Sequence, residues 1–165
     1  AQIKRPLVID ADALFALIDE PEILKFRTAP TLITPHAGEF KRLIKSSGHV
    51  SPNWKDARQY AMDNQVFVLL KGAPSLLATP TGTIYINSTG HAGMTTAGSG
   101  DVLSGVCGSL WAQWTDRSDV LSFAMYTHGK AANFQRAEKG VLGMIAGDII
   151  EALPEALKEY GDLPI

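Results

Sequence analysis

One cysteine, Cys107, among 165 residues excludes an internal disulfide and any zinc site built on cysteines. A reducing cytosol is the expected compartment, and Cys107 is expected to be a small packing residue. Neither sign of charge is in excess: 15 Lys+Arg face 17 Asp+Glu, a formal net charge of −2. So balanced a chain has no broad basic field to attract a phosphodiester backbone, and no nucleic-acid partner is expected. Long apolar runs are missing too. Runs such as Val66–Leu70 fall far short of the ~20 residues of a membrane span, so no membrane partner is expected. The opening Ala1-Gln2-Ile3-Lys4-Arg5-Pro6 lacks the charged-then-apolar pattern of a secretory signal. Linkers, low-complexity segments and internal repeats are absent as well.

What is present fits one globular domain. Hydrophobic residues make up 45% and charged residues 19%, enough apolar surface to offset the entropy of ordering the chain. A chain of this length buries roughly 70% of its extended surface. Leu7-Val8-Ile9 reads as a short buried strand ending at Asp10-Ala11-Asp12. Thr31-Leu32-Ile33 is a second strand, running into Thr34-Pro35-His36-Ala37-Gly38-Glu39 and a helix through about Lys45, stopped by Gly48. Ser51-Pro52 is expected to start another helix, with Ser as N-cap and Pro at the first helical position. Trp54, Ala57, Arg58 and Ala61 mark its repeat.

Val66–Leu70 is apolar on both faces, as a parallel strand covered by helices must be, and ends at Lys71-Gly72. Leu76-Leu77-Ala78 and Thr83-Ile84-Tyr85-Ile86 flank Pro80-Thr81-Gly82, the pattern of a β-hairpin. A Gly-rich loop covers His91 to Asp101, and a helix follows to about Trp114. Another helix is expected from about Asp119 to Glu138, closed by Gly140, and a last one over Ile145–Leu153, broken or restarted by Pro154. Strands alternating with helices predict an α/β fold with a mainly parallel sheet. Ligands sit at the C-terminal strand ends of such sheets, and three of these ends carry polar groups: Asp10/Asp12, His36/Glu39 and Lys71.

The sharpest feature is Thr95-Thr96-Ala97-Gly98-Ser99-Gly100-Asp101 leading into a helix. Glycines let a backbone approach a ligand, and free N–H groups at a helix start attract phosphate oxygens. Asp101 there has two readings: a helix cap, or a base that takes a proton from a hydroxyl attacking phosphorus. The segment is neither a Walker loop, which ends in Gly-Lys-Ser/Thr, nor a Rossmann fingerprint opening a first βαβ unit. Lys71 either neutralises phosphate charge or reaches solvent. Gly72 leaves room for a nucleotide. Glu39 is a first-turn acid favoured by the helix dipole or a Mg²⁺ ligand through water. His36 is structural or contacts substrate. Asp10 and Asp12 suit a metal, a ribose or a turn. His91 and His128 have no partner visible in the sequence, and His49 reads as surface loop. The three Trp residues (Trp54, Trp111, Trp114) read as core or interface.

Together these segments resemble the NAD(P)H-hydrate dehydratase family, a branch of the ribokinase-like superfamily. The resemblance is carried by Val8-Ile9-Asp10-Ala11-Asp12-Ala13-Leu14, Thr34–Phe40, Leu70–Ser75, Gly90–Gly105, His128–Ala132 and Ile145–Ile150. Gly-x-Gly-Asp alone says only ribokinase-like. Thr-Pro-His-x-x-Glu and Gly-Met-Thr-Thr-Ala-Gly-Ser-Gly-Asp narrow it. The resemblance implies repair of hydrated NADH and NADPH. A nucleotide, ADP or ATP, lies across Lys71, Gly72, Ala73, Pro74 and Ser75 and the nest Gly98, Ser99 and Gly100. Asp101 deprotonates the ring hydroxyl, His36 contacts the hydrate, and Glu39 positions Mg²⁺. ADP is the expected donor.

Ser99 stands where Thr is frequent and Ala97 where Gly is frequent; neither change removes a backbone donor. Pro74 replaces a frequent Gly and removes one N–H from the nucleotide loop. The family domain extends further on its N-terminal side, so residues 1–165 are expected to be the C-terminal major portion of one ribokinase-like domain. The expected alternatives are a fragment, a cleaved product, or half of a site completed by another chain or a complementing N-terminal segment, and the small-residue stretch Gly105–Ala112 is expected to pack on the sheet or on another copy of the chain in a homo-oligomer. Two other functions share the pattern: a kinase for a small alcohol of the hydroxymethylpyrimidine or thiazole type, and a nucleotide-binding fragment without turnover.

Overall fold

The computed structural model describes residues 3–47, 51–114 and 119–158. The expectations for Gly48 and His49 lie outside these residues. The chain forms two compact units, Ala1–Ile86 and Asn87–Ile165.

The first unit is built on a five-stranded sheet in the order β1-β2-β3-β4-β5. Strands β1 (Leu7–Ile9), β2 (Thr31–Ile33) and β3 (Phe67–Leu70) are short apolar runs. They pair in parallel, with Ile9 opposite Ile33 and Ile33 opposite Val68. The predicted hairpin forms from β4 (Leu76–Ala78) and β5 (Ile84–Ile86), antiparallel to each other, and β4 lies antiparallel to β3. Its turn requires Gly82, whose φ is +86°. Arg58 Nε donates to the Gly82 carbonyl at 2.9 Å, so a residue expected only to mark a helix repeat also ties down the turn.

Helices α1 (Ala13–Asp19), α2 (Ala37–Leu43) and α3 (Trp54–Asn64) supply the other half of this core. Phe40, Leu14, Ile33, Val68, Ala57 and Ala61 meet there, all buried. Phe40 packs edge-on to Tyr60 with ring centroids 5.5 Å apart. Burial of a side chain that large contributes roughly 2–3 kcal/mol. Helix α3 does not start at Ser51-Pro52. Asn53 is its N-cap, accepting from Lys55 N–H, and Asp56 returns a bond to Asn53 N–H at 2.8 Å. The reciprocal pair satisfies two orphan amides where Ser51 would satisfy one. A groove of about 510 Å³ runs beside β1 and α1, lined by apolar residues such as Val8, Leu17 and Leu24. None of Asp10, His36 and Lys71 is in that lining.

The second unit is helical: α4 (Ser99–Gln113), α5 (Val120–Lys139) and α6 (Ala146–Lys158). Its core is made of small residues on α5 and α6, among them Ala131, Ala132, Ala152 and Ala156, with Ile149 and Met144. Small side chains let the two helix backbones approach closely and still fill the space. Cys107 is fully buried, as expected. Trp111 is buried in α4, whereas Trp54 is 47% exposed and lies under the Lys55 ammonium. Gly140 closes α5 as predicted, with φ +69°. Pro154 neither breaks nor restarts α6, which runs on to Lys158. An interior proline costs about 3 kcal/mol; here its ring sits on the exposed side while Ile149, Ala152 and Ala156 stay buried on the other. No helix among the described residues is long and apolar enough to cross a membrane.

Candidate active site

In the first unit the parallel pairing runs on past the strands and brings their polar ends together. Thr34 N–H donates to the Ile9 carbonyl (3.1 Å) and Lys71 N–H to the Pro35 carbonyl (2.8 Å). His36 and Lys71 thus become bridge partners. Lys71 Nζ donates to Asp10 Oδ1 at 2.8 Å, and the two side chains are 22% and 13% exposed. The ammonium is therefore neither turned to solvent nor without a counter-charge. Ala11 takes a positive φ of 50°, which lets its N–H donate to the same Asp10 oxygen at 2.8 Å. Asp12 precedes α1, is exposed and makes no side-chain cap.

His36, Gly38 and Glu39 form one local device. His36 is the N-cap of α2, and its Nδ1 accepts from the N–H groups of Gly38 (3.0 Å) and Glu39 (3.2 Å). Glu39 Oε2 accepts from His36 N–H at 2.7 Å, closing a capping box. A Cβ at residue 38 would lie 2.9 Å from His36 Cε1, so glycine is what allows the ring to fold over the turn. The same tripeptide, His-Ala-Gly, recurs in the second unit. His91 Nδ1 accepts from Gly93 N–H at 3.1 Å, and a Cβ on Gly93 would lie 2.7 Å from His91 Cε1. His91 Nε2 also bonds the Ala132 carbonyl on α5, at 3.0 Å.

After β3, Gly72 and Ser75 close a small turn. Gly72 N–H donates to Ser75 Oγ (3.2 Å) and that hydroxyl donates to the Gly72 carbonyl (3.0 Å). Ala73–Pro74 is a cis peptide within it. A ligand would therefore meet the backbone of this turn, and Ser75 Oγ is already engaged.

The Gly-rich loop ends at Gly98, the N-cap of α4, whose φ of +84° is a left-handed conformation that favours glycine. Ser99 N–H turns back to the Thr96 carbonyl at 3.3 Å. Among the described residues the Gly100 and Asp101 amides have no backbone acceptor. Free donors thus sit at the start of a 15-residue helix, where its dipole favours an anion.

Asp101 is the third residue of α4, a position at which an acid can reach back to the cap N–H. Glu39 in α2, Asp56 in α3 and Asp148 in α6 all do so, at 2.7, 2.8 and 2.8 Å. Asp101 does not: the cap makes no side-chain bond and Asp101 is exposed. The capping alternative for Asp101 is thus not realised.

His128, for which the sequence offers no partner, is buried in α5, and its Nε2 is unpartnered among the described residues. Burial pushes its pKa down to about 4, a fall that the backbone of Ser99 partly opposes. No cluster of three or more His, Cys, Asp or Glu side chains suited to a metal occurs among the described residues. A single carboxylate such as Glu39, with lone pairs left beyond its cap bond, fits an ion held mostly by water and phosphate oxygens.

A parallel sheet with polar strand ends, followed by a hairpin and a glycine-rich helix start, defines a ribokinase-like α/β protein. The chain spans 93% of itself and 59% of hydroxyethylthiazole kinase from Pyrococcus horikoshii when superposed, with a TM-score of 0.68 at 21% identity, which shows the shared fold. The NAD(P)H-hydrate dehydratase family model (Carb_kinase) matches residues 1–155, and the chain belongs to that family. It is 38% identical over 159 residues to the bifunctional NAD(P)H-hydrate repair enzyme Nnr of Moorella thermoacetica, covering 95% of this chain and 30% of that protein. It is also similar to the ADP/ATP-dependent NAD(P)H-hydrate dehydratase of Bacillus subtilis, co-crystallised with ATP/Mg²⁺ and soaked with CoA. There the identity is 26% and the TM-score 0.78, over 94% of this chain and 56% of that one.

Proposed function

We propose that the protein dehydrates hydrated NADH and NADPH, using ADP or ATP as phosphoryl donor, with ADP preferred. The single observation that carries this is Asp101: alone among the four third-position acids described above, it leaves the cap N–H unclaimed. A structural acid would close the box. A base has to keep its lone pairs free for a substrate hydroxyl.

In this reading the amides of Gly100 and Asp101 take terminal phosphate oxygens at the nest Gly98–Gly100. Asp101 removes the proton of the ring hydroxyl, whose oxygen forms a bond to phosphorus as the donor's phosphoanhydride bond breaks. The phosphorylated oxygen then leaves as phosphate. The ring nitrogen lone pair drives that C–O cleavage, and loss of a carbon-bound proton restores the dihydropyridine. The backbone of Lys71–Ser75 contacts the nucleotide, Lys71 adding positive charge already shared with Asp10. His36 contacts the hydrate. Glu39 is assigned to Mg²⁺ through water; the ion would neutralise phosphate charge. The 165 residues are taken as the major, C-terminal portion of one ribokinase-like domain acting in the cytoplasm.

The test is direct. The full chain is incubated with hydrated NADH, Mg²⁺ and ADP or ATP, and the absorbance of the reduced ring is followed. Recovery is expected, faster with ADP. Asp101→Asn is expected to lower kcat by about 10²–10⁴-fold, the usual range for a general base, with nucleotide affinity kept. Wild-type turnover in Asp101→Asn refutes the role of Asp101. No recovery by the wild type refutes the function, and accumulation of a stable phosphorylated alcohol would show a kinase instead.

A further inference from the structure

Asp10 and Lys71 stand at the ends of β1 and β3, strands that do not pair with each other because β2 lies between them. Strands two places apart are separated by roughly 10 Å. The Lys71 side chain closes that gap, its Nζ donating to Asp10 Oδ1 at 2.8 Å. The same oxygen accepts from Ala11 N–H, also at 2.8 Å. Ala11 makes that bond from a φ of +50°, a left-handed conformation that disfavours a residue with a Cβ. Backbone strain of this kind clusters where a functional group has to be aimed. The carboxylate is thus fixed by its own main chain as well as by the lysine.

The lysine end is anchored too. Lys71 N–H donates to the Pro35 carbonyl at 2.8 Å, and the fully buried Thr34 donates its N–H to the Ile9 carbonyl at 3.1 Å. Backbone and ammonium of Lys71 therefore have separate anchors, Pro35 and Asp10. Directly after Lys71 the chain turns through Gly72, Ala73 and Pro74, all exposed, and the turn is closed on itself by Ser75 Oγ. An ammonium has three N–H donors; one is given to Asp10. A lysine without such an anchor loses its rotamer freedom at the moment an anion binds, which weakens binding.

We infer that Asp10 is a positioning residue for the nucleotide: it holds the Lys71 ammonium at the start of the Gly72–Ser75 turn, so that the charge is in place before a phosphate arrives. The role rests on the nucleotide-binding reading of Lys71–Ser75 given above. A bare carboxylate near a phosphate would repel it, but here the lysine offsets that charge. What Asp10 supplies is orientation, and it acts through Lys71 alone.

Calorimetry with ADP and Mg²⁺ on the full chain compares the wild type with Asp10→Asn, Lys71→Met and the double variant. Asn keeps an acceptor oxygen for Ala11 N–H, so the local turn is preserved while the counter-charge goes. Asp10→Asn is expected to weaken ADP binding about fivefold, the scale of ordering one long side chain on binding. On the Lys71→Met background the same change is expected to have no effect. An equal loss on both backgrounds overturns the inference, as does wild-type affinity in Lys71→Met. Tighter binding by Asp10→Asn also overturns it and would show the carboxylate acting as a repelling charge. Steady-state kinetics give a second readout: Asp10→Asn is expected to raise KM for ADP by a similar factor and to move kcat much less. A purely structural role does the opposite, lowering the active fraction and with it kcat, and that result overturns the inference. The two levels fail separately. No ADP binding by the wild type removes the nucleotide reading and this role with it, whereas wild-type binding with an indifferent Asp10→Asn removes only the role of Asp10.

Discussion

Replacing a helical glycine by alanine ordinarily stabilises a protein by about 0.5–1 kcal/mol, because glycine loses more backbone entropy on folding. At Gly129 the sign is expected to reverse. An added Cβ would sit 2.3 Å from Thr89 Oγ1, 2.8 Å from the Thr89 carbonyl carbon and 3.0 Å from Gly90 N. The threonine hydroxyl is held between the Asn87 side chain and the Tyr126 carbonyl, at 2.9 and 2.8 Å. The other two atoms are main chain and cannot rotate away. The loop must move, which adds roughly 1–3 kcal/mol of overpacking and about 1 kcal/mol for each hydrogen bond lost. Net of the entropy gain, Gly129→Ala is expected to be destabilised by roughly 3 kcal/mol. Gly105 is the internal control: it is exposed on α4, and a Cβ there meets nothing within 4 Å. Gly105→Ala is expected to gain about 0.5–1 kcal/mol. Urea unfolding of the full chain, read as midpoints at a constant m-value, measures both. A Gly129→Ala midpoint at or above that of the wild type refutes the packing argument. So does an equal fall for both variants.

Further outcomes follow from the same contacts. The folded His128 pKa of about 4 lies below the ordinary 6.5, so below about pH 6.5 the unfolded chain binds a proton that the folded one refuses. Stability is expected to be intact above that pH and to fall towards pH 4, by up to roughly 3 kcal/mol, with a flatter acid limb in His128→Asn. Tyr60 Oη is buried without a partner among the described residues, and burial raises its pKa from 10 to about 12. The folded state holds a proton that the unfolded state releases, so stability is expected to drop from about pH 10 upward. Tyr60→Phe removes that drop and gains about 1 kcal/mol near neutrality, because an unsatisfied hydroxyl is taken out of the core. Asp10→Ala leaves the Lys71 ammonium partly buried with its acceptor gone. A loss of about 2 kcal/mol in thermal unfolding is expected, and a wild-type melting temperature would show that the pair is solvated.

Much of the first unit was legible because its signals are local. Leu7–Ile9, Thr31–Ile33 and Phe67–Leu70 are apolar runs punctuated by polar residues, and the convergence of Asp10, His36 and Lys71 follows once such runs pair in parallel. Helix starts were less legible. Ser51-Pro52 and Asn53-x-x-Asp56 both look like starts, and only reciprocal bonding decides for the second. Pro154 misleads because a proline rule counts one residue, whereas α6 is held by a whole buried face. The partner of His91 is a main-chain carbonyl on α5, and no spacing pattern marks a carbonyl. The contrast between Asp101 and the acids that do cap their helices is visible only once the bonds are in place.

The folded-over ring of His36 carries a consequence for chemistry. Two main-chain amides occupy its inner nitrogen, so the neutral ring keeps its hydrogen on the outer one, Nε2, and that side chain is 58% exposed. That hydrogen already has an acid beside it, Glu39 Oε1 at 3.4 Å. An acceptor docking here shares it with that carboxylate, and the ring, its inner nitrogen taken by two amides, offers no lone pair with which to take a proton.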